Sequence, residues 1–131
     1  MAKYTKQLAA AAKAVGAEMT DYSDRTPDHW KIEKEPNWWV EWDPLASDGD
    51  AMRIAVKLGL NVHVDIARGY TSVSYSDGVW HALSSIEHGG DACSATRHAI
   101  VTVAEAIGEK MNIDAAIANW NSRYGAGGGQ P

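Results

Sequence analysis

Three tryptophans and two arginines are the residues of this sequence best suited to binding chemistry. Trp38, Trp39 and Trp42 fall within five consecutive positions, and Arg53 and Arg97 follow later in the chain. Tryptophan rings stack on nucleobases or on partner side chains, and a guanidinium binds phosphate or carboxylate through paired N–H groups. We therefore predict Trp39, Trp42, Arg53 and Arg97 as ligand- or partner-binding residues.

The same tryptophans also fit a structural role. Alternate residues of a strand share a face, so Trp38, Val40 and Trp42 point one way and Trp39 points the other. In the structural interpretation Trp38 and Trp42 belong to a sheet core, and the arginines make surface salt bridges. Trp39 lies outside that apolar row, so at least one tryptophan is expected in an unusual place.

A second group of polar residues has the composition of a general acid–base site. His63 and Asp65 share one face of a predicted strand, and His81 follows in a later strand. Such groups orient and transfer protons in enzymes, but the solvent side of a sheet carries the same residue types, and we favour that interpretation. The sequence has no G-x-S-x-G element and no P-loop, and Cys93 has no recognisable base partner. We therefore expect a protein without catalytic activity.

Three aspartates are the best candidates for a cation site. Asp43, Asp48 and Asp50 lie close together, and carboxylate oxygens bind hard cations. The spacing lacks the distal glutamate of a calcium loop, whereas Ser47 followed three residues later by Asp50 fits a helix-capping pattern. The five histidines have no metal-binding spacing. We favour helix capping and predict no metal and no cofactor.

The charge of the chain restricts the classes of partner. Twelve Lys and Arg residues stand against seventeen Asp and Glu residues, a formal charge of −5. General nucleic-acid binding needs an excess of basic residues, and no basic run suits an anionic membrane surface. No apolar stretch approaches the roughly 18 residues of a membrane span. The single cysteine, Cys93, cannot form a disulfide within the chain and fits a reducing cytosol.

Hydrophobic periodicity and turn residues predict the elements that position these side chains. Four helices are predicted: Tyr4–Val15, a helix capped by Ser47 and ended by Gly59, Ala92–Met111 and Ile113–Tyr124. Five strands are predicted: Trp30–Glu35, Trp38–Trp42, Leu60–Ile66, Tyr70–Tyr75 and Val79–Leu83. Ala17–Asp28 is expected to be a loop, residues 1–124 a single domain and residues 125–131 a flexible Gly-rich tail.

These elements indicate an α+β fold. Helices with one apolar stripe must cover a sheet, and short strands joined by glycine-containing turns pair antiparallel. We expect a three-layer α-β-α sandwich with a mainly antiparallel four- to five-stranded sheet and helices on both faces. The first two strands are expected to form a hairpin across Pro36 and Asn37.

Two segments carry long and distinctive motifs: WDPLASDGDAMRIAVKLGLNV (Trp42–Val62) and GGDACSATRHAIVTVAEAIGEKM (Gly89–Met111). They resemble the phage ABA-sandwich domain, a family of small bacteriophage proteins with the motifs W-[ND]-P-L-x-x-D-G-D-A-x-R-L-A-V-K-L-G and A-T-R-x-A-I-V-x-A-A-x-x-I-G. The first motif is matched by Trp42, Asp43, Pro44, Leu45, Asp48, Gly49, Asp50, Ala51, Arg53, Ala55, Val56, Lys57, Leu58 and Gly59. The second is matched by Ala95, Thr96, Arg97, Ala99, Ile100, Val101, Ile107 and Gly108. His98 stands where the family often has a second arginine.

The resemblance implies a phage origin and an α-β-α layer arrangement, and it implies no activity. We expect a phage-encoded, non-catalytic binding protein in the host cytoplasm that inhibits a host defence protein or sequesters a nucleotide-like signal. A homo-oligomer whose interface covers exposed sheet is part of this expectation. The alternatives are a small enzyme using His63, Asp65 and His81, or a minor virion or assembly component.

Overall fold

The computed structural model describes residues 5–19, 30–36 and 38–125. In chain order the elements are α1 (Thr5–Val15), β1 (Glu18–Met19), β2 (Trp30–Glu35), β3 (Trp38–Trp42), α2 (Asp48–Leu58), β4 (Asn61–Asp65), β5 (Tyr70–Ser76), β6 (His81–Glu87), α3 (Ala92–Trp120) and a π-helical turn (Asn121–Gly125). Most of the predicted loop and of the Gly-rich tail lies outside the described residues. The described start of that loop contains the short strand β1.

The six strands form two separate antiparallel sheets. The first sheet has the order β1-β2-β3, and the second has the order β4-β5-β6. The α+β class and the β2–β3 hairpin are confirmed. The expected single sheet of four to five strands is corrected to two sheets of three. Each group of strands completes its hydrogen bonds with its own sequence neighbours, and α2 separates the two groups.

α3 is the common support of the fold. β5 and β6 pack along it, and so do α1 and α2. On the other face of the second sheet, His63, His81, Leu83 and Ser85 are exposed. In the described ranges no helix covers that face, so the expected layering with helices on both sides of one sheet is not observed. Most of the residues that face solvent there are polar, and covering them would bury little apolar surface.

A buried polar contact joins the second sheet to α3. The hydroxyl of Thr71, on β5, is fully buried. It lies 2.8 Å from Nε2 of His88 and 2.8 Å from the hydroxyl of Thr96 on α3. Buried hydroxyls are costly without partners, so this pairing fixes where α3 begins relative to the sheet.

The ends of α2 follow the predicted capping residues. The Ser47 hydroxyl accepts the N–H of Asp50 at 3.1 Å. At the other end Gly59 has a left-handed backbone, with φ of 69°, and the N–H of Leu60 donates to the Ala55 carbonyl at 2.9 Å. The N–H of Gly59 also donates to the Val56 carbonyl at 3.3 Å. The two bonds at this end are those of a Schellman motif, in which the chain reverses onto the last helical turn.

α3 is longer than predicted. The two helices expected at Ala92–Met111 and Ile113–Tyr124 are one continuous helix that ends at Trp120. Neither glycine nor proline occurs between Glu109 and Tyr124, so the helix has no strong reason to stop there. Although α3 has 29 residues, no helix of the described ranges is both long and apolar enough to cross a membrane.

The contact between α1 and α3 relies on small residues. Ala10, Ala11 and Ala12 are buried on α1. A Cβ added at Gly108 of α3 would overlap the carbonyl oxygen of Ala10. The missing side chain at Gly108 therefore allows the two helix backbones to touch.

We predict that Gly108→Ala lowers the free energy of unfolding by about 1–3 kcal/mol, because α1 must move away from α3. This loss opposes helix propensity, which favours alanine over glycine by about 1 kcal/mol. Chemical denaturation measures the change. Gly49→Ala is the matched control, since a Cβ at this helical glycine meets only side-chain atoms at 3.8 Å and should be neutral or stabilising. A Gly108→Ala variant as stable as the parent would refute the close contact.

The turn between β5 and β6 is organised by one carboxylate. Oδ1 of Asp77 accepts the N–H of Trp80 at 2.8 Å and that of Val79 at 2.9 Å, and Gly78 has φ of 93°. The strand predicted to begin at Val79 begins instead at His81, because these two N–H groups are used by the turn. The same two hydrogen bonds hold the pKa of Asp77 below its ordinary value of 3.8, and the bond from the N–H of Trp80 contributes most.

This pKa shift predicts an acid-dependent stability. A carboxylate with a lowered folded-state pKa stabilises the fold above its unfolded pKa, and this contribution is lost as pH falls through the folded pKa. In Asp77→Asn the charge is absent, so its melting temperature should lie below that of the parent at neutral pH. The difference should narrow once the pH falls below about 3.8. Thermal unfolding followed across pH tests this, and a difference that does not change with pH would contradict it.

Candidate ligand-binding site

A cavity of about 460 Å³ lies between the first sheet and the helices α1 and α2. We call it the Trp42 cavity. Its apolar lining comes from the end of α1, from β2 and β3, and from one face of α2; the residues are Val15, Ile32, Val40, Trp42 and Ile54. Three polar residues of α2 complete that side: Asp50, Arg53 and Lys57.

The inner end of the cavity is part of the hydrophobic core. Trp42 is only 3% exposed, and Val15 and Ile54 are equally well buried. Strand alternation places Trp42 and Val40 on the face that points towards α2. Trp42 is therefore both a core residue and a lining residue of the cavity.

A pair of cations stands on the helix side of the cavity. Arg53 and Lys57 are four residues apart and therefore share one side of α2. The Arg53 side chain is 64% exposed, and its Nη1 donates to Oδ1 of Asp50 at 2.9 Å. A guanidinium has five N–H donors, so this bond fixes the group and leaves other donors for a ligand.

The buried carboxylate of Asp50 holds the turn before α2. Its Oδ2 accepts the backbone N–H of Asp43 at 2.8 Å, rather than the N–H of Ser47 that a capping box would use. The N–H of Ser47 donates instead to the Asp43 carbonyl at 2.8 Å. Asp50 thus orients Arg53 and ties β3 to α2 at the same time.

The strand side of the cavity has a different character. Glu33 and Glu41 also border the cavity, but they alternate along β2 and β3 with the inward residues Ile32 and Val40. Strand alternation directs their side chains to the outer face of the first sheet. The cations of the cavity, Arg53 and Lys57, are therefore on its helix side together with Asp50, while two carboxylates border its strand side.

Trp39 lies on the outer face of the first sheet. It is opposite Glu33 in the β2–β3 ladder and is half-buried. The ammonium of Lys31 lies 5.0 Å from the centre of its ring, which is a cation–π distance. Trp39 is consequently not among the residues that line the Trp42 cavity.

Arg97 belongs to another part of the surface. It borders a groove of about 340 Å³ between α2, α3 and the end of β4, together with Met52, Val64, Ile66 and Cys93. Its side chain is only 17% exposed. Nε donates to the carbonyl of Leu45 at 2.9 Å, and Nη1 donates to Asp48 at 2.6 Å. Arg97 therefore fastens the turn before α2 onto α3.

The four predicted binding residues are thus divided by the fold. Trp42 and Arg53 meet in one cavity, Arg97 lies in a separate groove, and Trp39 faces outwards. Lys57 lies beside Arg53 in the cavity, although it was not among the predicted site residues. Its position one helical turn after Arg53 could have indicated this. Val15 comes from a distant segment, and nothing in its neighbouring sequence indicates that it lines the cavity.

The residues of the proposed acid–base site do not converge. His63 is opposite Ser72 and His81 is opposite Ser76 on β5, which separates them by roughly 13 Å along the strand direction. Asp65 accepts the backbone N–H of Arg68 at 2.9 Å and shapes the turn after β4. The three side chains are spread over the open sheet.

Two of the three aspartates considered for a cation site have protein partners. Asp50 bonds to Arg53 and to the N–H of Asp43, and Asp48 pairs with Arg97. Across residues 5–19, 30–36 and 38–125, no group of three or more His, Cys, Asp or Glu side chains is arranged to hold a metal ion.

No protein-family model, curated protein or solved structure matches the chain. The resemblance to the phage ABA-sandwich domain is accordingly a prediction from its two motifs.

We predict that Arg97→Ala lowers the free energy of unfolding by about 1–3 kcal/mol, because two hydrogen bonds from a charged group are lost. Arg68→Ala is the control, since that side chain is 79% exposed and its removal should change stability by less than about 0.5 kcal/mol. Urea denaturation compares the two. An Arg97→Ala variant with unchanged stability would show that the arginine does not anchor the turn.

Proposed function

We propose that this chain is a non-catalytic binding protein that takes a small, flat organic anion of nucleotide-like chemistry into the Trp42 cavity. One observation carries the proposal: Arg53 and Lys57 stand together on the wall of a cavity whose inner end is apolar. A volume of about 460 Å³ falls within the range of roughly 300–1,000 Å³ typical of small-molecule sites.

The charges favour an anion at the outer end of the cavity. On the helix side the charge of Asp50 is balanced by its ion pair with Arg53, and the exposed Lys57 adds a further positive charge. Arginine and lysine side by side are a common means of binding phosphate. The apolar inner end, formed by Val15, Trp42 and Ile54, suits the flat body of the same ligand.

The resemblance of Trp42–Val62 and Gly89–Met111 to phage proteins supports a biological setting for this binding. In that setting a phage-encoded protein acts in the host cytoplasm and sequesters a nucleotide-like signal that a host defence system uses. Sequestration requires affinity and copy number rather than turnover, which agrees with the dispersed positions of His63, Asp65 and His81.

Titration calorimetry with the four ribonucleoside monophosphates tests the proposal. The parent protein should bind at least one of them, and the matching nucleoside should bind more weakly because it lacks the anion. Arg53→Ala and Lys57→Ala should each lower affinity about ten-fold or more, the usual effect of losing a charged hydrogen bond.

Arg68→Ala is the matched control, because it removes one exposed cation from the turn between β4 and β5, and Arg68 is not among the residues that line the cavity. Its affinity should equal that of the parent. The proposal would be wrong if none of the four monophosphates binds, or if Arg53→Ala binds with the same affinity as the parent. Circular dichroism of each variant shows that the fold is retained.

A further inference from the structure

The last part of α3 extends beyond the core together with the π-helical turn that follows it. Residues 109–124, here called the distal segment, are exposed at nearly every position. At 1.5 Å per residue this segment is roughly 24 Å long. Helices of this length are only marginally stable in water unless an apolar face is covered. The composition of the exposed face therefore indicates whether a partner covers it.

The distal segment carries a continuous apolar stripe. Ile113, Ile117, Trp120 and Tyr124 are each more than half exposed, and their spacing of four, three and four residues places them on one side of the helix. The rings of Trp120 and Tyr124 lie 4.3 Å apart. Together these side chains expose on the order of 400 Å² of mostly apolar surface, a size that marks interaction sites on soluble proteins.

Two opposite charges stand at the two ends of this stripe. Glu109 precedes the stripe on α3, and Arg123 lies near its end in the π-helical turn. Both follow the same flank of the stripe. Within the described part of the chain, the ion pair of the distal segment is Lys110 with Asp114, at 2.8 Å. Glu109 and Arg123 take no part in that pair.

We infer that the distal segment is a dimerisation helix that packs antiparallel against the same segment of a second copy. In that arrangement Glu109 of each copy lies beside Arg123 of the other, so the dimer contains two pairs of opposite charges. A parallel arrangement would bring like charges to the same height. The antiparallel contact is also symmetric, as expected of the two-fold interfaces of homodimers.

Size and shape agree with this partner. Two stripes and their polar edges bury about 1,000 Å², the lower limit of a specific interface. The antiparallel arrangement places the two folded bodies at opposite ends of the paired helices, so they do not collide. The residues that line the Trp42 cavity are not part of this surface, so the inference is independent of the proposed function.

Light scattering coupled to size-exclusion chromatography tests the inference. The protein should have twice the mass of the 14.1 kDa chain. Ile117→Glu should reduce the mass to that of one chain. Leu83→Glu, at an even more exposed apolar residue on the second sheet, should leave the dimer intact.

Charge reversal distinguishes the orientation and avoids substitution of apolar residues. Glu109→Arg and Arg123→Glu should each raise the dissociation constant of the dimer at least several-fold, and the double variant should restore it. A monomeric parent protein overturns the inference. So does a dimer that survives Ile117→Glu, a dimer lost in Leu83→Glu, or a double variant that dissociates more than either single one.

Discussion

The backbones of α1 and α3 touch where Gly108 faces Ala10, and the positions of the other elements follow from this crossing. Any side chain at Gly108 would take the place of the Ala10 carbonyl, so this crossing point allows little variation in the distance between the helices. α1 therefore ends with Val15 against the wall of the Trp42 cavity, while α3 packs also against α2 and the second sheet. The cavity is located by helix packing as much as by the hairpin that forms its other wall.

The elements predicted well from the sequence are those whose ends are set by neighbouring residues. β2, β3 and α2 have such ends: turn residues bound the hairpin, and Ser47 and Gly59 bound the helix, because capping acts over a few positions. The assignment of strands to sheets depends on contacts between distant segments, which periodicity does not encode. The division into two sheets and the pairing of β1 could therefore not be predicted from the sequence.

The candidate site shows the same limit at the level of single side chains. Arg53 and Lys57 share a helix side, and Trp42 shares a strand face with Val40; both relations follow from local geometry. The role of Arg97 depends on the carbonyl of Leu45, 52 residues earlier in the chain. The sequence does not distinguish an arginine that binds a backbone carbonyl from an arginine that is available to a ligand. The different roles of Arg97 and Arg53 are therefore visible only in the fold.

The buried contact of Thr71 with His88 and Thr96 has a directional consequence. A hydroxyl has one hydrogen, so Thr71 donates to only one of its two partners. If Nε2 of His88 carries hydrogen, it donates to Thr71, and Thr71 donates to Thr96; if Nε2 is bare, both bonds reverse. The tautomer of the His88 imidazole therefore sets the donor–acceptor direction of both hydrogen bonds. These bonds connect the loop before α3 to Thr71 on the sheet, and Thr71 to Thr96 on the helix.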